Sequence, residues 1–215
     1  MIKPNSVVVL LHGIGRTKRS MHSLETALTT AGYQVLNIDY PSRKKDITSL
    51  AQEIYLQLQP YYNQAPYTLH FVTHSMGGLL ARTLLSLYPC RNIGRVVMLA
   101  PPNQGSEYAD WLQSFVLYRL FYGPAGQQLT THIAKTQPFP LINAELGVIA
   151  GDRSLDPLSV FLMPGKHDGK VTVASTQLNQ MKDYIVLHAS HSFIMMRQKA
   201  ISQVLYFLAH GMFNR

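Results

Sequence analysis

Cysteine is almost absent from this chain, with Cys90 alone among 215 residues. A single cysteine forms no internal disulfide and no thiolate cluster for a metal, so we interpret Cys90 as a small side chain near a helix end. Long apolar runs are absent too, and none approaches the roughly 20 residues that cross a bilayer. Residues 1–6 lead straight into a strand-like run without room for a signal peptide, so we expect a cytoplasmic protein.

Acidic residues are also scarce. The chain has 11 Asp and Glu against 19 Lys and Arg, which gives a net charge of +8. Because the basic residues are scattered, we interpret them as a solvated surface. The alternative is attraction to an anionic substrate or peripheral contact with an anionic membrane surface. No nucleic-acid motif is present, so we expect no nucleic-acid partner, and we expect a monomer.

Signatures of metal and nucleotide binding are missing as well. The chain has no HExxH, no complete GxGxxG and no Walker pattern, so we expect no metal and no cofactor. It does have nine histidines. A minor alternative is a metal site formed by His167, Asp168, His188 and His191.

What the sequence does contain is an alternation of short aliphatic runs and helical patterns. This alternation predicts an α/β fold with a mostly parallel sheet and helices on both faces, in one domain over residues 1–215. Active sites of such sheets lie at the carboxyl ends of the strands. The predicted strands are Val7–Leu11, Gln34–Asp39, Thr68–Thr73, Arg95–Ala100, Leu146–Gly151 and Tyr184–His188, and the predicted helices are Met21–Ala31, Ile47–Leu58, Leu79–Tyr88 and Phe193–Leu208.

Residues 106–145 break this alternation with a dense apolar stretch. Gly123–Gly126 interrupts it and Gln137–Pro140 ends it. One interpretation is a small helical cap or lid inserted over the catalytic end of the sheet, with Trp111 and Phe115 binding the substrate. The other is a set of core helices packed on the sheet, and one face can pack while another lines a pocket.

The most informative stretch surrounds Ser75, where a predicted strand runs into a predicted helix through a turn of small residues. A serine on such a strained turn projects its hydroxyl group, and the helix N-terminus offers free N–H groups to an oxyanion. The positions two before and two after this serine should be small. Gly77 fits, whereas Thr73 replaces the usual glycine. The alternative is an ordinary turn with an exposed serine, which the flanking strand and helix make less favourable.

A second oxyanion donor is expected from the glycine-rich loop that follows the first strand. We place this donor at the backbone N–H of Ile14, and we expect His12 and Gly13 to contact the substrate. An ordinary glycine-rich turn between a strand and a helix is the alternative.

The acid and the base follow Ser75 along the chain. We favour Asp168 as the acid, because Val171 can fold back into the sheet edge and fix its carboxylate; Asp152 and Asp156 are rivals. We favour His191 as the base, because it lies on a loop that can reach Ser75, whereas its rival His188 lies at a strand end.

Together, the segments His12–Gly15 and Thr73–Gly78, Asp168 with Val171, and His191 resemble the α/β-hydrolase superfamily, and more narrowly the small bacterial lipases and esterases. The resemblance implies an α/β-hydrolase fold and a Ser75–His191–Asp168 triad. It also implies oxyanion donors at Ile14 and Met76, an acyl-enzyme intermediate and no cofactor. The chain departs from the pattern at Thr73 and in its short cap.

Three functions stay open at this point. The first is hydrolysis of carboxylic esters, with a small-molecule or lipid ester as substrate. The second is a thioesterase or acyltransferase that uses the same triad. The third is a non-catalytic binding protein on the same fold.

Overall fold

A single parallel sheet forms the centre of the molecule. The computed structural model describes residues 5–215, except for the side chains of residues 116–119 and 158. Six strands lie in the order β2-β1-β3-β4-β5-β6, and each neighbouring pair is parallel, which confirms the predicted sheet. The strands are β1 Ser6–Leu11, β2 Gln34–Ile38, β3 Thr68–His74, β4 Ile93–Leu99, β5 Glu145–Gly151 and β6 Asp183–Leu187.

Helices cover both faces of this sheet, as predicted. The buried side chains of α2 and α3 pack on one face, and those of α1 and α8 pack on the other. Strand β1 contributes to both cores, because Val7 and Val9 face one side while Val8 faces the other. This explains its uninterrupted aliphatic run. The helices are α1 His22–Thr30, α2 Ile47–Leu58, α3 Met76–Leu87, α4 Glu107–Leu112, α5 Val116–Gln127, α6 Thr131–Thr136, α7 Pro157–Leu162 and α8 Gln198–His210.

Two helices begin elsewhere than the sequence suggested. Helix α3 begins directly after Ser75 and not at Leu79. The apolar pattern did not reveal its first turn, because that turn contains two glycines. The predicted helix from Phe193 is wrong in its first turns. A short 3-10 helix at Ile194–Met196 comes first, and the extended backbone of Arg197 separates it from α8.

Three short helices, α4 to α6, fill the segment between β4 and β5. Gly123 breaks α5 with φ of 60° and ψ of −159°, where the sequence predicted an interruption. Side chains of this segment meet the carboxyl end of the sheet, and several line the cavity described below. No helix in the described part of the chain combines the length and the apolar character that a bilayer crossing requires.

Candidate active site

Ser75 occupies a strained bend between β3 and α3. Its φ of 54° and ψ of −126° lie outside the regions that non-glycine residues favour. The Ser75 N–H donates to the Leu99 carbonyl at 2.9 Å, and the Gly78 N–H donates to the Ser75 carbonyl at 2.9 Å. The sheet and the helix therefore hold a conformation that costs about 1–3 kcal/mol.

Two residues around the bend, Gly77 and Thr73, pack against different parts of the structure. A Cβ atom on Gly77 would lie 2.4 Å from the carbonyl oxygen of Leu11, so β1 is what demands glycine there. Thr73 is fully buried, and its Oγ1 faces Gly78, where an added Cβ would be 3.4 Å away. Thr73 therefore fits at a position where a glycine is usual, with its hydroxyl oxygen beside Gly78.

Two side chains from separate loops form a line of hydrogen bonds that ends at Ser75. The Nε2 atom of His191 lies 2.9 Å from Ser75 Oγ, and its Nδ1 atom lies 2.8 Å from Asp168 Oδ2. The carboxylate of Asp168 only accepts hydrogen bonds, so the proton of the neutral imidazole belongs on Nδ1. Nε2 is then free to accept the Ser75 hydroxyl proton. All three residues are buried.

A tight loop fixes the Asp168 carboxylate. Its Oδ1 accepts the N–H groups of Lys170 at 3.0 Å and Val171 at 2.8 Å, and the Asp168 carbonyl accepts the His191 N–H at 3.0 Å. Val171 fixes the carboxylate as expected, but it does not do so by joining the edge of the sheet. It lies outside the six strands and acts through its backbone N–H.

The rival residues have other hydrogen-bond partners. His188 Nδ1 lies 3.1 Å from Asp152 Oδ1, and its side chain is 73% exposed. Asp156 accepts the hydroxyl group of Tyr108 at 2.8 Å. His188 thus pairs with Asp152, while Asp168 pairs with His191. In the described part of the chain, no three His, Cys, Asp or Glu side chains gather as ligands for a metal, so the minor metal alternative has no support.

His12 does not contact the cavity, contrary to the expectation that it binds substrate. Its ring is fully buried and stacks on Tyr40 with ring centroids 4.0 Å apart. The Nδ1–H group donates to the Gly13 carbonyl at 2.8 Å, and burial lowers the pKa of His12, which keeps the ring neutral. The ring therefore orients the loop that carries Gly13 and Ile14.

The two expected oxyanion donors are available. Ile14 lines the cavity beside Ser75, and Met76 is the first residue of α3. The hydrogen bonds found within residues 5–215 include none from the N–H group of either residue. Gly13 permits this arrangement, because a Cβ atom there would lie 2.9 Å from His74 Nδ1 and 3.2 Å from Ser75 Cβ.

A cavity opens above Ser75, with an empty volume of about 560 Å³ that includes open solvent. We call it the Ser75 cavity. Trp111 and Phe115, expected to bind substrate, do not line it. They are 37% and 47% exposed and pack against each other with ring centroids 4.9 Å apart. The apolar lining comes instead from other residues of α4 and from its neighbours, namely Ile14, Pro102, Ala109, Leu112, Tyr122, Leu129 and Val171.

His74 is a buried residue of this site that the sequence reasoning overlooked. Its Nε2–H group donates to the His191 carbonyl at 2.9 Å, which helps to hold the histidine loop. Burial, with a further contribution from His191, lowers the pKa of His74 well below 6.5, so Nδ1 carries no proton. That atom is buried without a hydrogen-bond partner among the described residues. Its position next to Ser75 in the sequence was the available signal.

Comparison with known proteins gives a match to one family of sequences. A family model described as "Alpha/beta hydrolase family" matches residues 8–161. Lysosomal thioesterase PPT2 of Mus musculus is 26% identical over 136 residues, which cover 57% of this chain and 45% of that protein. The match thus spans about half the length of that relative.

Solved structures show the same fold at low sequence identity. The mature form of the Bacillus licheniformis lipase BlEst2 superposes with a TM-score of 0.78 at 21% identity, covering 98% of this chain and 94% of that one. The type II thioesterase BorB, from the borrelidin biosynthetic cluster, gives a TM-score of 0.58 at 18% identity, covering 96% and 92%. At these identities the likeness concerns the fold alone.

Proposed function

Because this chain belongs to the alpha/beta hydrolase family, we propose that it is a serine hydrolase that cleaves carboxylic esters through an acyl-enzyme. The observation that carries the proposal is the hydrogen-bonded sequence from Asp168 through His191 to Ser75, set on a strained bend beside a cavity. A histidine with a purely structural role would have no need of a second ring nitrogen within hydrogen-bond distance of a serine on such a bend.

In the first step, Ser75 Oγ attacks the carbonyl carbon of the ester while His191 Nε2 takes the hydroxyl proton. The carbonyl oxygen becomes an oxyanion. Asp168 stabilises the imidazolium that forms, since its Oδ2 accepts the Nδ1–H group at 2.8 Å. As the tetrahedral intermediate collapses, His191 returns the proton to the leaving alkoxide. Water then repeats these steps on the acyl-enzyme and releases the acid.

The N–H groups of Ile14 and Met76 are the proposed donors to the oxyanion. A preorganised donor of this kind lowers the barrier by about 3 kcal/mol. His12 and Gly13 act indirectly in this scheme, because the first orients the loop and the second lets it approach Ser75. The steps use side chains, backbone groups and water, so we propose that no cofactor takes part.

Thioesters are the second candidate substrate class. Two proteins with similar sequence or fold are named thioesterases, the mouse lysosomal protein and BorB. The chemistry differs only in the leaving group, because a thiolate departs with less need for the proton that His191 supplies. An acyltransferase would replace water with another acceptor on the same acyl-enzyme.

Paired oxygen and sulfur esters of the same acyl groups test both candidates. We expect the purified protein to hydrolyse at least one series to the free acid, with the rate depending on acyl length. Ser75→Ala should abolish this turnover. Turnover that persists in Ser75→Ala would contradict the proposal, and products that contain an added alcohol acceptor would identify acyl transfer.

A further inference from the structure

Two cationic side chains line the Ser75 cavity together with Ser75 and His191. Arg16 lies on the loop after β1, close along the chain to Ile14, and Lys170 lies on the loop that carries Asp168. The two cations therefore approach the reacting atoms from two different loops. Most other basic residues are spread over the surface, and the buried Arg82 lines a different cavity.

Neither cation is neutralised by a close carboxylate. The ion pairs found within residues 5–215 include neither Arg16 nor Lys170. Asp168 and Asp156 attract Lys170 at longer range, but the carboxylate of Asp168 is already bound to His191. Burial, followed by the charge of Arg16, lowers the pKa of Lys170. A half-buried ammonium beside a guanidinium is unfavourable unless an anion joins them.

The backbone holds both residues in place. The Lys170 N–H donates to Asp168 Oδ1 at 3.0 Å, and its carbonyl accepts the Ser106 hydroxyl group at 2.6 Å. The Arg16 N–H donates to the Gly13 carbonyl at 3.3 Å. The backbone of each residue is thus fixed at the cavity, with the Lys170 side chain half-buried and that of Arg16 exposed.

We propose that Arg16 and Lys170 form an anion-binding subsite of the Ser75 cavity, and that the substrate is an ester or thioester with a carboxylate or phosphate close to the scissile carbonyl. This inference rests on the proposed hydrolase function and narrows its substrate class. Guanidinium and ammonium groups are the usual protein partners of both anions. The anionic group can belong to the acyl chain or to the leaving group, and the experiment separates the two.

Three esters of similar size make the comparison. p-Nitrophenyl butyrate is neutral, p-nitrophenyl hemisuccinate has an anionic acyl group, and a butyrate ester of a hydroxynitrophenyl phosphate has an anionic leaving group that is a similarly activated nitrophenol. We expect the wild-type protein to show a higher kcat/KM for one of the anionic esters than for the neutral one. The anionic ester with the higher kcat/KM relative to the neutral ester shows whether the charge belongs to the acyl group or to the leaving group.

Two variants, each with a matched control, test the residues. Lys170→Met and Arg16→Gln should each lower the ratio of anionic to neutral kcat/KM by about tenfold or more. Lys166→Met removes an exposed charge from the loop of Lys170, and Arg19→Gln does so close to Arg16. These controls should leave the ratio within about twofold. The subsite proposal would be overturned if the ratio of anionic to neutral kcat/KM fell equally in a variant and its control. It would also be overturned if the ratio changed in neither.

The result is distinguishable from failure of the hydrolase proposal. If the neutral ester is cleaved in a Ser75-dependent way and no anionic preference is found, the hydrolase stands and the subsite falls. If no ester is cleaved, equilibrium binding decides. Calorimetry on Ser75→Ala should show tighter binding of hexyl phosphate than of hexanol, and Lys170→Met in that background should remove the difference. Equal binding of hexyl phosphate and hexanol counts against the subsite, and so does a failure to detect binding of either.

Discussion

The substitution Asp168→Asn tests the role of the carboxylate, because the two oxygens of Asp168 have different hydrogen-bond partners. Oδ1 accepts backbone N–H groups at 3.0 Å and 2.8 Å, and Oδ2 accepts the His191 Nδ1–H group at 2.8 Å. An asparagine must keep its oxygen toward the two N–H donors, because an amide nitrogen there would face them donor to donor. Its NH₂ group then faces His191 and requires Nδ1 to accept.

The substitution therefore selects the wrong tautomer of His191. With Nδ1 as acceptor, the ring proton moves to Nε2, which then cannot take the proton of Ser75 at 2.9 Å. In a serine protease, the equivalent substitution leaves the geometry intact and lowers kcat by about 10⁴-fold. We expect a similar loss here, or about 5.4 kcal/mol in the activation barrier.

Steady-state kinetics on a p-nitrophenyl ester measure this loss, and a thermal melt checks that the variant is folded. The exposed pair of Asp152 and His188 provides a control of the same chemistry, with Nδ1 and Oδ1 3.1 Å apart. Asp152→Asn should keep kcat within about threefold, as expected for an exposed pair. Near-normal kcat in Asp168→Asn, or a large loss in Asp152→Asn, would refute the reasoning.

Further predictions concern stability and surface binding. Gly77→Ala should destabilise the fold by about 3 kcal/mol, because its Cβ would lie 2.4 Å from a β1 carbonyl oxygen; an unchanged urea midpoint would contradict this. Burial lowers the pKa of His74 well below 6.5, so as the pH falls through 6.5 the unfolded chain takes up the proton first and stability decreases. His74→Gln should make this pH dependence shallower in denaturation measurements from pH 7 to about 5, and an equal slope would exclude His74 as its source. We also propose that the exposed Trp111 and Phe115 contact anionic membranes. Because Trp111 is the chain's single tryptophan, its fluorescence should shift to the blue with phosphatidylserine vesicles and not with phosphatidylcholine, and no shift would refute the contact.

The sheet and the centre of the site were predictable because their signals are local. Aliphatic runs with helical patterns between them indicate a parallel sheet, and a strand, a serine and a helix in succession indicate the bend at Ser75. The chain order of serine, acid and histidine then narrowed the candidates to a few residues. The structure brings together Asp168 and His191, the pair that the sequence favoured over Asp152 and His188.

The lining of the cavity was not predictable in the same way. Trp111 and Phe115 are the most prominent apolar residues of their segment, yet they face outward, because the packing of α4 against its neighbours decides which side is buried. Hydrophobicity alone does not identify a binding surface in such a short helix. Likewise, the buried ring of His12 depends on Tyr40, a contact between distant residues that no local motif encodes.

Labelling with a fluorophosphonate probe is the most direct measurement of the central claim, which is that Ser75 is an activated nucleophile. The probe phosphonylates an activated serine irrespective of the natural substrate. We expect one label, located on Ser75 by peptide mass spectrometry, weak in His191→Ala and absent in Ser75→Ala. A folded wild-type protein that takes no label, or a Ser75→Ala variant that is labelled as strongly as the wild type, would contradict the account.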